Sequence, residues 1–257
     1  MRDAVPPAQT AAGTRLRLCL ATHNAHKVIE LRALLAQHAP SLADALDLRS
    51  LDDLGVHEAA VEDGPDCRSN ALINARHAAQ HTGLWSLADD SGLEVDALDG
   101  APGVHSARFG GSPAVGQTQD ARNRQVLLDR LTDVPADRRS ARFVCVLCLH
   151  APVSDAKSAA ATPTIPVPPA PQYAEGACRG RLLPSESGVG GFGYDPLFVP
   201  DLAELLQAGI PSQRAELSFG CLSADEKNRM SHRTRALLAL LPALTALVAS
   251  HCEAVTR

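Results

Sequence analysis

A chain of 257 residues that is 45% apolar and 21% charged has enough hydrophobic side chains to bury a full core as a soluble globular protein. A net charge of −5 and a pI near 6.0 exclude a protein that coats nucleic acid, which needs a basic face, although a local pocket or a metal ion can still hold a small anion. The seven cysteines are odd in number and scattered, and the one close pair, Cys145-Val-Leu-Cys148, lies in an apolar run without a second pair at zinc-ribbon spacing. Reduced thiols, no disulfide and no structural zinc are therefore expected.

The first residues lack the apolar core of a signal peptide, and no apolar run reads as long enough to cross a bilayer, so a cytoplasmic protein with no membrane partner is expected. Residues 1–14 read as a disordered Pro/Ala tail and 15–250 as a single domain. Leu16, Leu18 and Leu20 alternate with Arg17 and Cys19, the period of a first strand. The segment Thr22-His23-Asn24-Ala25-His26-Lys27 then turns into a helix whose apolar face is Val28, Leu31, Leu34 and Leu35, with Asn24 or Thr22 as its cap. A second helix is predicted over 69–80, strands at 84–89 and 93–98, a Gly-Ala-Pro-Gly turn at 100–103, a helix near 118–131 and a strand over 141–149. Residues 151–174, rich in Pro and Ala, read as a flexible hairpin-tip insertion with no catalytic part. A strand over 175–183, a glycine-dense loop, a short helix over 201–208 and an apolar C-terminal helix interrupted at Pro242 complete the chain. Strands and helices interleave without a strict βαβ rhythm, which predicts an α/β protein with a mixed sheet.

Four segments carry chemistry. Thr22 to Lys27 delivers donors to a helix N-terminus, where free N–H groups and the dipole favour an anion. Asp89 and Asp90 end an apolar run, and adjacent strand residues face opposite ways, so one acid is expected to face a cleft while the other braces the loop. Glu62 and Asp63, in Val-Glu-Asp-Gly, read either as solvated loop acids or as the source of one acid that shares a divalent metal with Asp90 through oxygen ligands. Gly188 to Gly193 fits G-x-G-x-x-G, but no strand ends there and no helix begins, so it is not a dinucleotide fingerprint. It leads into Phe192, Gly193, Tyr194 and Asp195, whose aromatic pair is read equally as a base-stacking platform or as a loop pinned to the core. Ser223 to Glu226 fits a capping box. For Lys227, His232 and Arg233 to converge, a new helix must start near Ser231.

Taken in order, THNAHK, the ADDSGLEVDALDGAPGVHSARFGG block, GGFGYDP and EKNRMSHR resemble the inosine/xanthosine triphosphate pyrophosphatase family from about Leu16 to Leu241. The resemblance implies a two-lobed fold with a long mixed β-sheet flanked by helices, a cleft between the lobes and a homodimer. It implies Mg²⁺-dependent hydrolysis of a nucleoside triphosphate, ITP, dITP or XTP, to the monophosphate and pyrophosphate. In those terms Thr22, Asn24 and Lys27 hold the triphosphate, with His23, Ala25 and His26 in the same binding segment. Glu62 and Asp90 bind metal, Asp90 is the general base, and Ser91 touches substrate. Phe192, Gly193, Tyr194, Asp195, Lys227, His232 and Arg233 read the purine. The chain departs from the family pattern at His23, where glycine is usual, and at Asn74, where many members have a phosphate-reaching lysine. Cys67, Ser69 and Val61 are further departures at the same end. Arg76, His26 or His23 are the candidates to replace the lysine's charge. These departures leave a second expectation open, a nucleotide-binding or sensor protein with the same pocket and weakened phosphate chemistry.

Overall fold

The computed structural model describes residues 15–152 and 169–255. The tail at 1–14 and residues 153–168 of the expected insertion lie outside them. Strand β1 (Leu16–Leu20) leads into helix α1 (Ala25–His38), then helix α2 (Pro40–Ala45) and strand β2 (Leu46–Ser50). Helix α3 (Cys67–Thr82) precedes strand β3 (Trp85–Val95) and the short strand β4 (Pro102–Gly103), followed by helix α4 (Gln119–Arg130). Strands β5 (Ser140–His150), β6 (Gln172–Leu182) and β7 (Phe198–Pro200) come next, then helices α5 (Leu202–Gln207), α6 (Ala224–Asn228) and α7 (His232–Val255).

The seven strands form one mixed sheet in the order β2-β1-β3-β5-β6-β7, with β4 paired to β3. β1 runs parallel to β2 and β3, and the pairs from β3 onward are antiparallel. The expected mixed α/β architecture is what forms. One apolar cluster gathers β1, α1 and α7 around Leu18, Leu31 and Leu240, all at most 1% exposed. Another gathers Phe143, Phe198 and Phe219 with Leu127 at the β5–β7 end of the sheet.

Four expectations change. The strands expected at 84–89 and 93–98 are one 11-residue strand that continues through both aspartates, paired to β5 at every residue from Ser86 to Val95. Gly92 carries it past β4, because a Cβ there would meet the Gly103 carbonyl oxygen at 2.4 Å. Gln172 to Ala174 belong to β6 rather than to an insertion and pair with Leu147 to Leu149. Pro242 sits inside α7 without ending it. Helix α7, with 24 residues and a mean hydropathy of 1.6, is long and apolar enough by length and composition to cross a membrane, contrary to the sequence reading. Its first turns nevertheless bury His232 and Arg233 and pack Ala236, Leu237 and Leu240 into the core. The edge strand β2 and helix α2 were not expected at all, since LDLRS has no clean alternation and PSLADA is too short for a helical period.

Candidate active site

Asn24 closes the turn from β1 into α1. Its side-chain oxygen accepts the N–H groups of His26 at 2.9 Å and Lys27 at 3.3 Å, and Thr22 Oγ1 accepts the Asn24 N–H at 3.1 Å. The cap sets Lys27 in the first turn. From there its Nζ donates to the Asp89 carbonyl oxygen at 2.9 Å and pairs with Asp89 Oδ1 at 2.8 Å.

The alternation of β3 gives its two acids different surroundings. The Asp89 side chain is 1% exposed and takes Arg233 Nε at 2.6 Å and the Ser91 hydroxyl at 2.8 Å in addition to Lys27. Burial opposes its charge, but Arg233 and Lys27 together hold the carboxyl well below the usual carboxylate range. The buried Oδ2 of Asp90 has no hydrogen-bond partner among the described residues. Burial, aided by Glu62 and Asp89 and resisted by Lys27, pushes the Asp90 carboxyl up to about 6.

Two recesses adjoin at this point, and Lys27 and Glu62 line both. The first is walled by Phe143, Phe192, Tyr194 and His232, with Asp90 and Ser91 at its edge. Tyr194 is pinned, its hydroxyl donating to the Ser106 carbonyl at 2.8 Å, so it is a structural wall. Phe192 has the His26 ring stacked 5.3 Å away at 13° and the Lys227 ammonium 4.8 Å from its centroid. Gly193 donates its N–H to Asp120 at 2.7 Å. Lining the same recess, Lys227 pairs with Asp195 at 2.8 Å and Glu30 at 3.5 Å, while Arg233 is bound by Asp89 and Glu30.

His232 differs from these neighbours. Its ring stacks on Phe143 at 4.8 Å and 14°, and its buried Nδ1 has no partner. Burial and the nearby charges of Arg233 and Lys227 hold the imidazole well below its ordinary pKa, so it is neutral. Its position depends on Gly176 of β6, where a Cβ would lie 2.2 Å from the His232 carbonyl oxygen. The break between α6 and α7, with Ser231 Oγ accepting the Thr234 N–H at 3.2 Å, lets Lys227 and His232 line one recess.

The second recess is polar and includes Thr22, His23, Asn74, His77 and Arg108. His23 Nδ1 lies 2.8 Å from Asp52 Oδ1. Glu62 is held from both sides, by the Asn74 amide at 2.9 Å on Oε1 and by Arg108 Nη1 at 3.1 Å on Oε2. Of the residues named to replace the missing lysine, only His23 lines this recess; His26 lies over Phe192, and Arg76 and Ala25 line neither recess. Arg108 lines this recess beside Lys27 and brings the further cation. It was overlooked in the SARFGG segment, as was Glu30, which sits three residues after Lys27 and so on the same helical face.

Asp90 and Glu62 suit a hard divalent cation. One offers an orphaned buried oxygen, and each oxygen of the other accepts one hydrogen bond and keeps a second lone pair.

An aromatic-walled recess that shares Lys27 and Glu62 with a polar, cation-bearing one is a concave site of the kind that takes a small ligand. The chain belongs to the Ham1 family, whose model matches residues 18–243. It is 40% identical over 234 residues to the dITP/XTP pyrophosphatase of Rhodopirellula baltica, covering 91% of this chain and 95% of that one. It is 41% identical to the dITP/XTP pyrophosphatase of Shigella flexneri, covering 89% and 98%. Among solved structures, the HAM1 protein from Coxiella burnetii superposes with a TM-score of 0.66 at 34% identity, covering 90% of this chain and 99% of that one.

Proposed function

We propose that this protein hydrolyses non-standard purine nucleoside triphosphates, ITP, dITP and XTP, to the monophosphate and pyrophosphate, with Mg²⁺ as the required cation. The observation that carries the reading is the junction itself, where Lys27 and Glu62 line both recesses and Asp90, with an unpartnered oxygen, lines the first. The purine enters the aromatic-walled recess and the phosphates the polar one, which brings the bond between the α- and β-phosphates to the acids. The names of the relatives, dITP/XTP pyrophosphatase, support the same substrate class.

The geometry supports a role for each residue on this reading. Lys27 and Arg108 neutralise phosphate oxygens, which is most of what phosphoryl transfer asks of a protein. Asp90, with Glu62, holds the divalent cation, which neutralises charge on the phosphates and makes a water easier to deprotonate when bound. Asp90, with its unpartnered buried oxygen, would accept that water's proton. Thr22 and Asn24 shape the phosphate turn, and Ser91 lines the recess beside Asp90.

In the base recess, the charges of Lys227 and Arg233 are committed to Asp195, Glu30 and Asp89. The neutral His232, whose Nδ1 has no partner among the described residues, is in its Nδ1–H tautomer the donor offered to a 6-oxo group. Adenine carries an amino donor at that position and leaves two donors facing each other. Asn74 favours a second reading, a binding protein with slow chemistry, because a neutral amide stands where a cation would help.

Purified protein with Mg²⁺ and a panel of ITP, XTP, dITP, GTP and ATP separates the two. Pyrophosphate and monophosphate from the first three, with little from GTP or ATP, supports the enzyme. Tight ITP binding without turnover supports the second reading, and orthophosphate release or equal ATP turnover defeats both. On the same reading the assembly is a homodimer acting in the cytoplasm, and light scattering tests the first of these.

A further inference from the structure

We infer that Glu58, His77 and His81 form a binding site for a divalent transition metal at the rim of the phosphate-side recess, separate from the pair Asp90 and Glu62. His77 and His81 are four residues apart on α3, the spacing that puts two imidazoles on one face of a helix. Their ring centroids are 4.1 Å apart at 34°, and Glu58 faces them from the loop before α3. One ligand atom from each of the three lies within 4.8 Å of the others.

The hydrogen bonding arranges the lone pairs for this task. His81 Nδ1 lies 2.8 Å from the His77 carbonyl oxygen, which can only accept, so Nδ1 carries the proton. In the neutral ring the free lone pair is then on Nε2, which lies 4.0 Å from Glu58 Oε2. A backbone bond that fixes one ring nitrogen while the other faces the ion is the usual support of a metal-binding histidine. Bond lengths of about 2.0–2.1 Å around a zinc ion require ligand atoms about 3.4 Å apart. Glu58, whose side chain is 79% exposed, is free to close the remaining distance.

Two imidazoles and one carboxylate suit Zn²⁺ and its neighbours in the first transition row, and suit Mg²⁺ poorly, since Mg²⁺ favours oxygen ligands and water. The location gives the ion a role. His77 also lines the phosphate-side recess, and Asn74, His77 and His81 run along one stripe of α3. A dication here adds positive charge next to the place where Asn74 offers none. That role rests on the triphosphate reading above; the metal site itself does not.

The test uses the full chain, stripped with a chelator and titrated with Zn²⁺ by calorimetry in the absence of nucleotide. One Zn²⁺ is expected per chain, with affinity at least tenfold weaker in His81→Ala and in Glu58→Ala. Both residues are surface-exposed, and matching circular dichroism spectra establish that the variants fold. Equal affinity in the wild type and His81→Ala would place the ion elsewhere and overturn the site, as would no binding by the wild type. A second titration, of inorganic pyrophosphate with and without one equivalent of Zn²⁺, tests the role. Zn²⁺ should tighten pyrophosphate binding several-fold in the wild type and not in His81→Ala; an equal effect in both overturns it. Hydrolysis of ITP with Mg²⁺ alone reports on the proposed activity independently of either result.

Discussion

The side-chain amide of Asn74 donates to Glu62 at 2.9 Å and so orients an acid that faces both recesses. The bond keeps Glu62 in place but brings no charge to the phosphates. Replacing Asn74 with lysine should raise kcat/KM for ITP by roughly three- to tenfold, as a cation joins Lys27 and Arg108 in the recess. Steady-state kinetics check this, and an unchanged value would show that Arg108 already supplies all the neutralisation required.

Arg108→Ala tests the converse. It removes the other support of Glu62 and a cation of the phosphate-side recess together. A loss of roughly 10²-fold in kcat/KM is expected. A loss confined to KM would assign Arg108 to binding alone.

Asp90 should trade stability for chemistry. Its folded pKa of about 6 lies above the ordinary 3.8, so its ionisation is penalised in the folded state. The sign follows: the penalty is absent below about pH 4, develops as pH rises toward 6, and is complete above it. In metal-free buffer at pH 7, Asp90→Asn should therefore be more stable by on the order of 3 kcal/mol, with the gain vanishing at acid pH. The same variant should lose turnover while still binding ITP. Urea melts at several pH values and a binding titration decide both points, and retained turnover would remove Asp90 as the base.

Asp89 should behave in the opposite way. Asp89→Asn leaves the buried Arg233 with one acid and Lys27 without its closest partner, a loss expected to cost about 3–5 kcal/mol. The wild-type pair's contribution is present above the unfolded pKa of Asp89 and is lost as pH falls through its depressed folded value. Chemical denaturation at neutral pH measures it; a change below 1 kcal/mol would show the two cations finding other partners.

His232→Phe keeps an aromatic ring against Phe143 but deletes the free Nδ1. Discrimination between ITP and ATP, as a ratio of kcat/KM values, should fall by roughly 10–10²-fold. An unaltered ratio would move the reading of the 6-oxo group to another donor.

What could be read from the residues was local. The Asn24 cap and the Ser223–Glu226 box each complete their bonds within three residues, so the types and spacing were enough. The opposite surroundings of Asp89 and Asp90 followed from strand alternation. What escaped was long-range. Arg233 meets Glu30 across 203 residues, and Arg108 meets Glu62 across 46, and no periodic pattern records such pairings. Arg233 and Lys227 looked like free cations facing a ligand, whereas both are neutralised by buried acids. β3 was split in two because a pair of aspartates in mid-strand mimics a strand end, and only the ladder to β5 shows that it continues. Pro242 suggested a break in α7, but packing of the helix on β5 and β6 overrides the local preference.

Asp89 is shared between Lys27 at one end of the chain and Arg233 at the other. An anion that draws Lys27 away leaves the whole carboxylate to Arg233, and whatever disturbs Arg233 alters the hold on Lys27. On the proposed reading, thermodynamic reciprocity would then let a ligand's hold on Lys27 and the state of the base-side recess around Arg233 influence each other through a single counter-ion. Severing the ligand between those two places would not break that link, so each product would govern how readily the other departs.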